Sequence, residues 1–376
     1  MITALTNGRV LTERGVVERQ TVLIESGRIR AIGGDVPADA QIHDVGGALL
    51  LPGFIDTQVN GGGGVLFGDA PTVETLRRIG IAHARFGTTG FLPTLISGDF
   101  NLIRAAIAAV EAAMETGVPG VLGIHIEGPF LNAARKGIHD SSKFRALDDE
   151  AFALLTSARR GKTMVTLAPE QTTPETIARL AKAGVIVSAG HTDATYAQVH
   201  AALAHGLTGF THLFNAMSPL RAREPGTVGA ALDDAESYCG IIVDGKHVDP
   251  ATLRIALHCK RADRLMLVTD AMPSVGAENK RFALQGRMIA VKDGVCVAPD
   301  GTLAGSDLDM ASAVRNAMAM LGLDLAAAVD MATRTPAAFL GLSQETGMLR
   351  QGLRASLVCV DDAIHVRETW IDGRRV

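Results

Sequence analysis

Three stretches share one design: VLGIHIEGP (residues 121–129), VIVSAGHT (185–192) and GFTHLFN (209–215) run through apolar residues and stop on Glu127, His191 and His212. LMLVTDA (265–271) stops in the same way on Asp270, and GFIDTQVN (53–60) closes on Gln58-Val59-Asn60. Between such runs lie stretches with helical periodicity, among them Ala194–His205 and Pro250–Lys260. Apolar strands alternating with amphipathic helices define an α/β chain with a parallel sheet closed by helices. Eight runs can be counted, near Gly53–Gln58, Thr89–Pro93, Val121–Glu127, Met164–Ala168, Val185–His191, Gly209–His212, Cys239–Val243 and Leu265–Asp270. Eight is the number that closes a (β/α)8 TIM barrel.

Outward from the barrel, residues 1–48 read as short β segments, with alternation in Thr21–Ile32 broken at Ser26-Gly27 and Gly33-Gly34. The same style returns from about Gly352, in Ala355–Val360 and Glu368–Ile371. The two chain ends are therefore expected to meet in a small β-sandwich-like domain of residues 1–48 and 352–376, leaving 49–351 to the barrel. Arg281–Thr302 reads as hairpins turning at Asp293-Gly294 and Asp300-Gly301, inserted after the eighth strand and expected to join that β layer.

Composition narrows the function classes. Of 376 residues, 47% are hydrophobic and 20% charged, which supplies a large core and excludes disorder. A net charge of -4 with interspersed signs offers no basic stripe for nucleic acid and no polybasic segment for a membrane. No stretch has the apolar length of a membrane span, and Met1–Gly15 lacks the pattern of a secretory leader. The four cysteines, Cys239, Cys259, Cys296 and Cys359, are too scattered for a disulfide framework and are expected to be buried or inert. The reading is a cytoplasmic enzyme acting on a small molecule.

Active sites of such barrels occupy the C-terminal ends of the strands. Glu127, His191 and His212 would meet there, and two imidazoles with one carboxylate leave a coordination position open for water, the arrangement of a catalytic metal. Taken singly, each has an ordinary explanation, such as a histidine bonding a loop or a glutamate pairing with an arginine; three together weaken it. Asp270 ends the last strand with no helix to cap, since Ala271-Met272-Pro273 follows, so its carboxylate can face the metal's water. His125, two residues before Glu127, points to the same side of its strand and is expected to support the site without ligating.

With these residues in view, the chain resembles the N-acetylglucosamine-6-phosphate deacetylase family of the amidohydrolase superfamily over nearly its whole length. The matching stretches are Pro52–Asp56, His125–Phe130, Lys136–His139, Gly190–Thr192, His212–Met217, Arg223–Gly226, Asp244–His247 and Val268–Ala271. The resemblance implies metal ligation by Glu127, His191 and His212, with Asp270 as the general base that later protonates the departing amine. It implies that His139 polarises the acetyl carbonyl, that His247 contacts the sugar, and that Asn215 and Ala216 contact sugar or phosphate. Arg223 matches a phosphate-binding arginine that can reach a neighbouring subunit's site, which implies a homodimer and an amino-sugar phosphate substrate. Read without the family, Arg223 is a surface ion pair with Glu224 of little consequence.

Many amidohydrolases carry His-x-His on strand one, whereas this chain has Gln58-Val59-Asn60, and strand four ends Ala168-Pro169-Glu170 without a bridging lysine. Neutral amides are poor ligands beside imidazole, so one divalent metal per chain is expected, zinc first and ferrous iron as the alternative, with Gln58 and Asn60 beside substrate or water. Competing readings are a deacetylase for the galactosamine epimer, an amidohydrolase for cyclic amides, and a binding homologue without catalysis.

Overall fold

The computed structural model describes residues 2–376. Eight parallel strands form a nearly closed barrel: β1 (Phe54–Val59), β2 (Thr88–Ile96), β3 (Gly123–Glu127), β4 (Lys162–Leu167), β5 (Ile186–Ala189), β6 (Leu207–Phe210), β7 (Tyr238–Ile241) and β8 (Leu265–Leu267). They pair in sequence order from β1 to β8. Both faces of these strands are covered, and β1 is buried at all six positions, which is why the sequence shows apolar runs and little alternation. Helices begin where a side chain can take up free backbone N–H groups. Thr195 and Gln198 form a capping box ahead of Tyr196–Ala204, and Asp249 caps Pro250–Cys259.

The seam between β1 and β8 is closed by backbone bonds at its end and by a buried side chain within it. Asn60 N and Gly61 N donate to Ala271 O at 2.9 and 3.0 Å. The buried Asp56 carboxylate accepts from Gln58 N at 3.1 Å, from Thr269 N at 3.3 Å and from the Thr269 hydroxyl. Burial raises the Asp56 carboxyl to about 7 against the opposing pull of those bonds. Asp56 thus ties the first strand to the residue before Asp270.

The chain ends meet in one eight-stranded sheet. Its main path runs Arg374–Arg375, Val366–Ile371, Leu357–Val360, Leu49–Pro52, Ile2–Thr12, Gly15–Glu25 and Arg28–Ile32, with Gln41–Asp44 paired to Ile2–Thr12. Leu49–Pro52, placed with the barrel in the sequence reading, pairs with Leu357–Val360 and so belongs to this sheet. Its core includes Leu5, Val22, Ile24, Leu50, Leu357 and Trp370.

The expectation that the inserted hairpins join this layer is corrected. Arg281–Leu284, Arg287–Lys292, Val295–Val297 and Leu303–Ser306 form a separate four-stranded antiparallel sheet. Its apolar side packs Leu284, Ile289, Cys296 and Ala304 with Leu66 and Met272, residues of the barrel's loops. Ser306 N donates to Asp270 O, and Met272 N to Ser306 O, so the insert is anchored to the strand-eight end and stands over the mouth. Of the cysteines, Cys239, Cys296 and Cys359 are buried, Cys259 is exposed, and all are free.

Candidate metal-dependent active site

Barrel geometry brings the ends of β3, β5, β6 and β8 around a cavity of 340 Å³, a size suited to a sugar phosphate. Asn60, Glu127, His139, His191, His212, Asn215, Ala216, His247 and Asp270 line it, and the insert contributes Leu284 and Thr302–Gly305. Glu127 is the last residue of β3; His191 and His212 each follow their strands by two residues.

His212 Nε2 lies 3.0 Å from Glu127 Oε1 and 3.1 Å from His191 Nε2, and His191 Nε2 lies 3.4 Å from Glu127 Oε1. His191 Nδ1 bonds the Arg135 carbonyl at 2.9 Å, and a carbonyl only accepts, so the ring proton sits on Nδ1 and the Nε2 lone pair faces the other two donors. Facing ring nitrogens this close must share either a proton or a cation. The donor set therefore fits a divalent metal at Glu127, His191 and His212. Burial opposes the charge on Glu127, but hydrogen bonds from both histidines, with their charges, hold its carboxyl well below the ordinary range. His212 is correspondingly raised on balance: burial, the largest single influence, lowers it, and the bond to Glu127 together with the charges of Glu127 and Asp270 outweighs that.

His139 also comes within reach, since one donor atom each from Glu127, His139 and His191 lie within 4.8 Å of one another. His212 is the histidine whose ring nitrogen is in direct contact with both, at 3.0 Å from Glu127 and 3.1 Å from His191. Burial, followed by the charge of His191, pushes His139 down to about 3, so its ring is neutral at working pH.

Asp270 is raised to about 6, first by burial and then by the charge of Glu127. Asn60 Nδ2 donates to its Oδ1 at 2.6 Å and Gln58 Nε2 at 3.2 Å, which leaves Oδ2 for a proton. The same Gln58 nitrogen reaches Glu127 Oε1 at 3.1 Å. Gln58 is therefore a bridge between two carboxylates and does not line the cavity, unlike the expected substrate contact. His247 is held by Asp244, whose Oδ2 lies 2.6 Å from Nδ1 and whose Oδ1 accepts two backbone N–H groups.

His125 and Arg223 both stand apart from the candidate ligands, in different ways. His125 bonds Thr94 at 3.1 Å and Thr166 at 2.7 Å, within a layer of hydroxyls inside the barrel that continues to Thr211 and Ser188. It makes no hydrogen bond to the three candidate ligands among the described residues, because its ring turns toward strands β2 and β4. Arg223 is exposed on the loop before helix Gly226–Asp233 and stands outside its own chain's cavity. Its supposed partner Glu224 is occupied by the backbone N–H groups of Tyr196 and Gly226.

The sequence reading missed Arg135, Glu170 and Asp244. Glu170 accepts from Asn132, Thr192 and Asp193 N, linking the loops after β3 and β5, while Arg135 bonds Asp193 at 2.8 Å. Its place at the end of the fourth strand was the available signal; the contacts themselves join residues far apart in sequence.

A barrel whose strand ends gather a cation-binding triad and a second, protonatable carboxylate is that of a metal-dependent hydrolase. The chain belongs to the amidohydrolase family, whose profile matches residues 49–376, and is an enzyme acting on an amide C–N bond. It is 43% identical to N-acetylgalactosamine-6-phosphate deacetylase of Shewanella sp. (strain ANA-3), over 97% of this chain and 93% of that one. It is 35% identical to N-acetylglucosamine-6-phosphate deacetylase of Haemophilus influenzae, over 99% and 98%. A crystal structure of N-acetylglucosamine-6-phosphate deacetylase from Pasteurella multocida superposes with a TM-score of 0.96 at 34% identity, covering all of both chains.

Proposed function

We propose that the protein deacetylates N-acetylglucosamine 6-phosphate, giving glucosamine 6-phosphate and acetate. The observation that carries this reading is the joining, in one cavity, of the Glu127–His191–His212 donor set with an Asp270 carboxyl raised to about 6. A divalent cation on that triad, zinc or ferrous iron, supplies Lewis acidity that makes water nucleophilic near neutral pH.

The chain's own groups carry the proton. Asp270 Oδ2 takes it from the attacking water, while Asn60 and Gln58 hold Oδ1. The neutral His139 donates to the acetyl oxygen as the carbonyl carbon becomes tetrahedral. Asp270 then returns the proton to nitrogen as the C–N bond breaks, because an unprotonated amide anion is too poor a leaving group. His247, fixed by Asp244, with Asn215 and Ala216, contacts the sugar or its phosphate.

Arg223 supplies the phosphate cation across a homodimer. Its exposure outside its own cavity supports this, as does an apolar groove between its loop and helix Pro250–Cys259, lined by Leu220, Pro219, Phe214 and Ile255, of which Leu220 is 58% and Ile255 59% exposed. Free, mostly buried cysteines suit a cytoplasmic setting. No helix among the described residues is long and apolar enough to cross a membrane.

The 43% identity to a galactosamine-6-phosphate relative favours a second reading, in which the epimer at a single sugar carbon is the preferred substrate. Comparing kcat/KM for the two acetylated hexosamine 6-phosphates decides between them. Arg223→Ala is expected to harm either phosphorylated sugar far more than unphosphorylated N-acetylglucosamine, since only the former offers a dianion. Equal loss on both would make Arg223 structural.

A further inference from the structure

His139 and His191 are neighbours with ring centroids 4.4 Å apart, and both can reach the same point beside Glu127. Their other ring nitrogens meet opposite environments. His191 Nδ1 faces a carbonyl oxygen, that of Arg135, and must donate. His139 Nδ1 faces Ser97, the residue after β2: the Ser97 hydroxyl lies 2.8 Å away and the Ser97 backbone N–H points at the same nitrogen from 3.4 Å. A backbone N–H can only donate, so Nδ1 of neutral His139 must be the acceptor, and the ring proton is left on Nε2.

We propose that Ser97 is a positioning residue that fixes His139 in the Nε2–H tautomer, which keeps His139 out of the metal's ligand set and makes it a hydrogen-bond donor to the substrate's carbonyl oxygen. This rests on the deacetylase reading for the identity of the carbonyl, and on geometry alone for the tautomer. Metal ligation needs a ring nitrogen with a free lone pair. His191 presents one, and His139 presents an N–H. Two imidazoles at similar distance are thus sorted into ligand and donor by one carbonyl and one serine.

The placement of the hydroxyl is itself built in. Ser97 is 5% exposed, and a Cβ on Gly128 would come within 2.3 Å of its Oγ. Gly128, at φ +84°, follows Glu127 directly, so the backbone that delivers the carboxylate also leaves the slot that the hydroxyl fills. Ser97 lies outside the motif that carries His139, and nothing in its residue type singles it out in the sequence.

The test is a long-range proton–nitrogen spectrum of the full-length, zinc-loaded protein with 15N-labelled histidine, the His139 signals being assigned by their loss in His139→Gln. The expected result is Nε2–H for His139 and Nδ1–H for His191. Nδ1–H on His139, whether or not zinc sits on its Nε2, overturns the proposal. Ser97→Ala, which removes the hydroxyl donor and leaves the N–H, is expected to lower kcat by about tenfold with KM and zinc content unchanged. Ser97→Asp presents an acceptor and is expected to invert the tautomer and lower kcat by about 100-fold, the scale of losing one oxyanion donor. Unchanged kcat in Ser97→Ala contradicts the role of the hydroxyl, and the wild-type spectrum decides the tautomer even if Ser97→Asp does not fold. Absence of acetate release from the unmodified enzyme would refute the substrate reading and leave the tautomer measurement standing.

Discussion

At the barrel mouth His191, His212, Phe214, Ala216 and Asp270 hold φ angles of 49°, 36°, 80°, 52° and 52°, while in the antiparallel sheets and their turns Asn7, Asp293 and Asp372 hold 57°, 52° and 49°, and Arg19, Ser26, Gln285 and Ile364 hold 50°, 50°, 48° and 60°. The backbone conformation is the same and the distribution differs: at the mouth these residues crowd the ends of β5, β6 and β8, whereas in the sheets they are scattered over separate strands and turns. Asn and Asp tolerate the left-handed region because their short polar side chains bond locally, and a turn there works equally well with glycine. Imidazole, methyl and phenyl groups gain nothing of the kind. At the mouth the conformation aims a side chain across the barrel axis, and the cost, about 1–2 kcal/mol per residue, is offset by the packing of the strands beneath. The outer sheets carry such strain at single positions, Ile364 at φ 60° among them, whereas at the mouth it is gathered around the cavity.

The largest effect expected from breaking this contrast is at Asp270. Asp270→Asn keeps the shape and the bonds to Asn60 and Gln58 but loses the proton acceptor, so kcat should fall by ~100- to 10,000-fold with bound metal unchanged. Near-normal turnover with metal in place would remove Asp270 from the mechanism. The pH profile sharpens the same point: a base acts only when deprotonated, and burial raises Asp270 to about 6, so kcat/KM should decline as pH falls through about 6. An acid limb near the ordinary aspartate value of about 4 would show that burial does not govern this carboxyl.

The smallest effect is the most direct comparison of the two regions. Ala216→Gly should stabilise the fold by about 1 kcal/mol by relieving strain at φ 52°, whereas Asp293→Gly, at the same angle in a hairpin turn, should change it by less than about 0.5 kcal/mol. Chemical denaturation measures both. Equal shifts would mean that the mouth is no more strained than a turn.

Much of this was legible in the sequence. All eight barrel strands were readable because buried parallel strands are apolar throughout, and Glu127, His191, His212 and Asp270 because each interrupts such a run at its end. The insert was misplaced since its hairpin signature reports local pairing and is silent on which surface its apolar side will cover; Leu66 and Met272 decide that. Gln58 read as a missing metal ligand, which leaves unseen its amide between Glu127 and Asp270, a contact across three strands.

Returning zinc to chelator-stripped protein, while following acetate release from N-acetylglucosamine 6-phosphate and its galactosamine epimer, asks whether the mouth of this barrel is a metal-dependent deacetylase site. Turnover should be absent without metal, rise in proportion to occupancy, and reach a plateau at one zinc per chain that Glu127→Gln abolishes. Full activity in the stripped protein, or no acetate from either sugar at full occupancy, would contradict that reading.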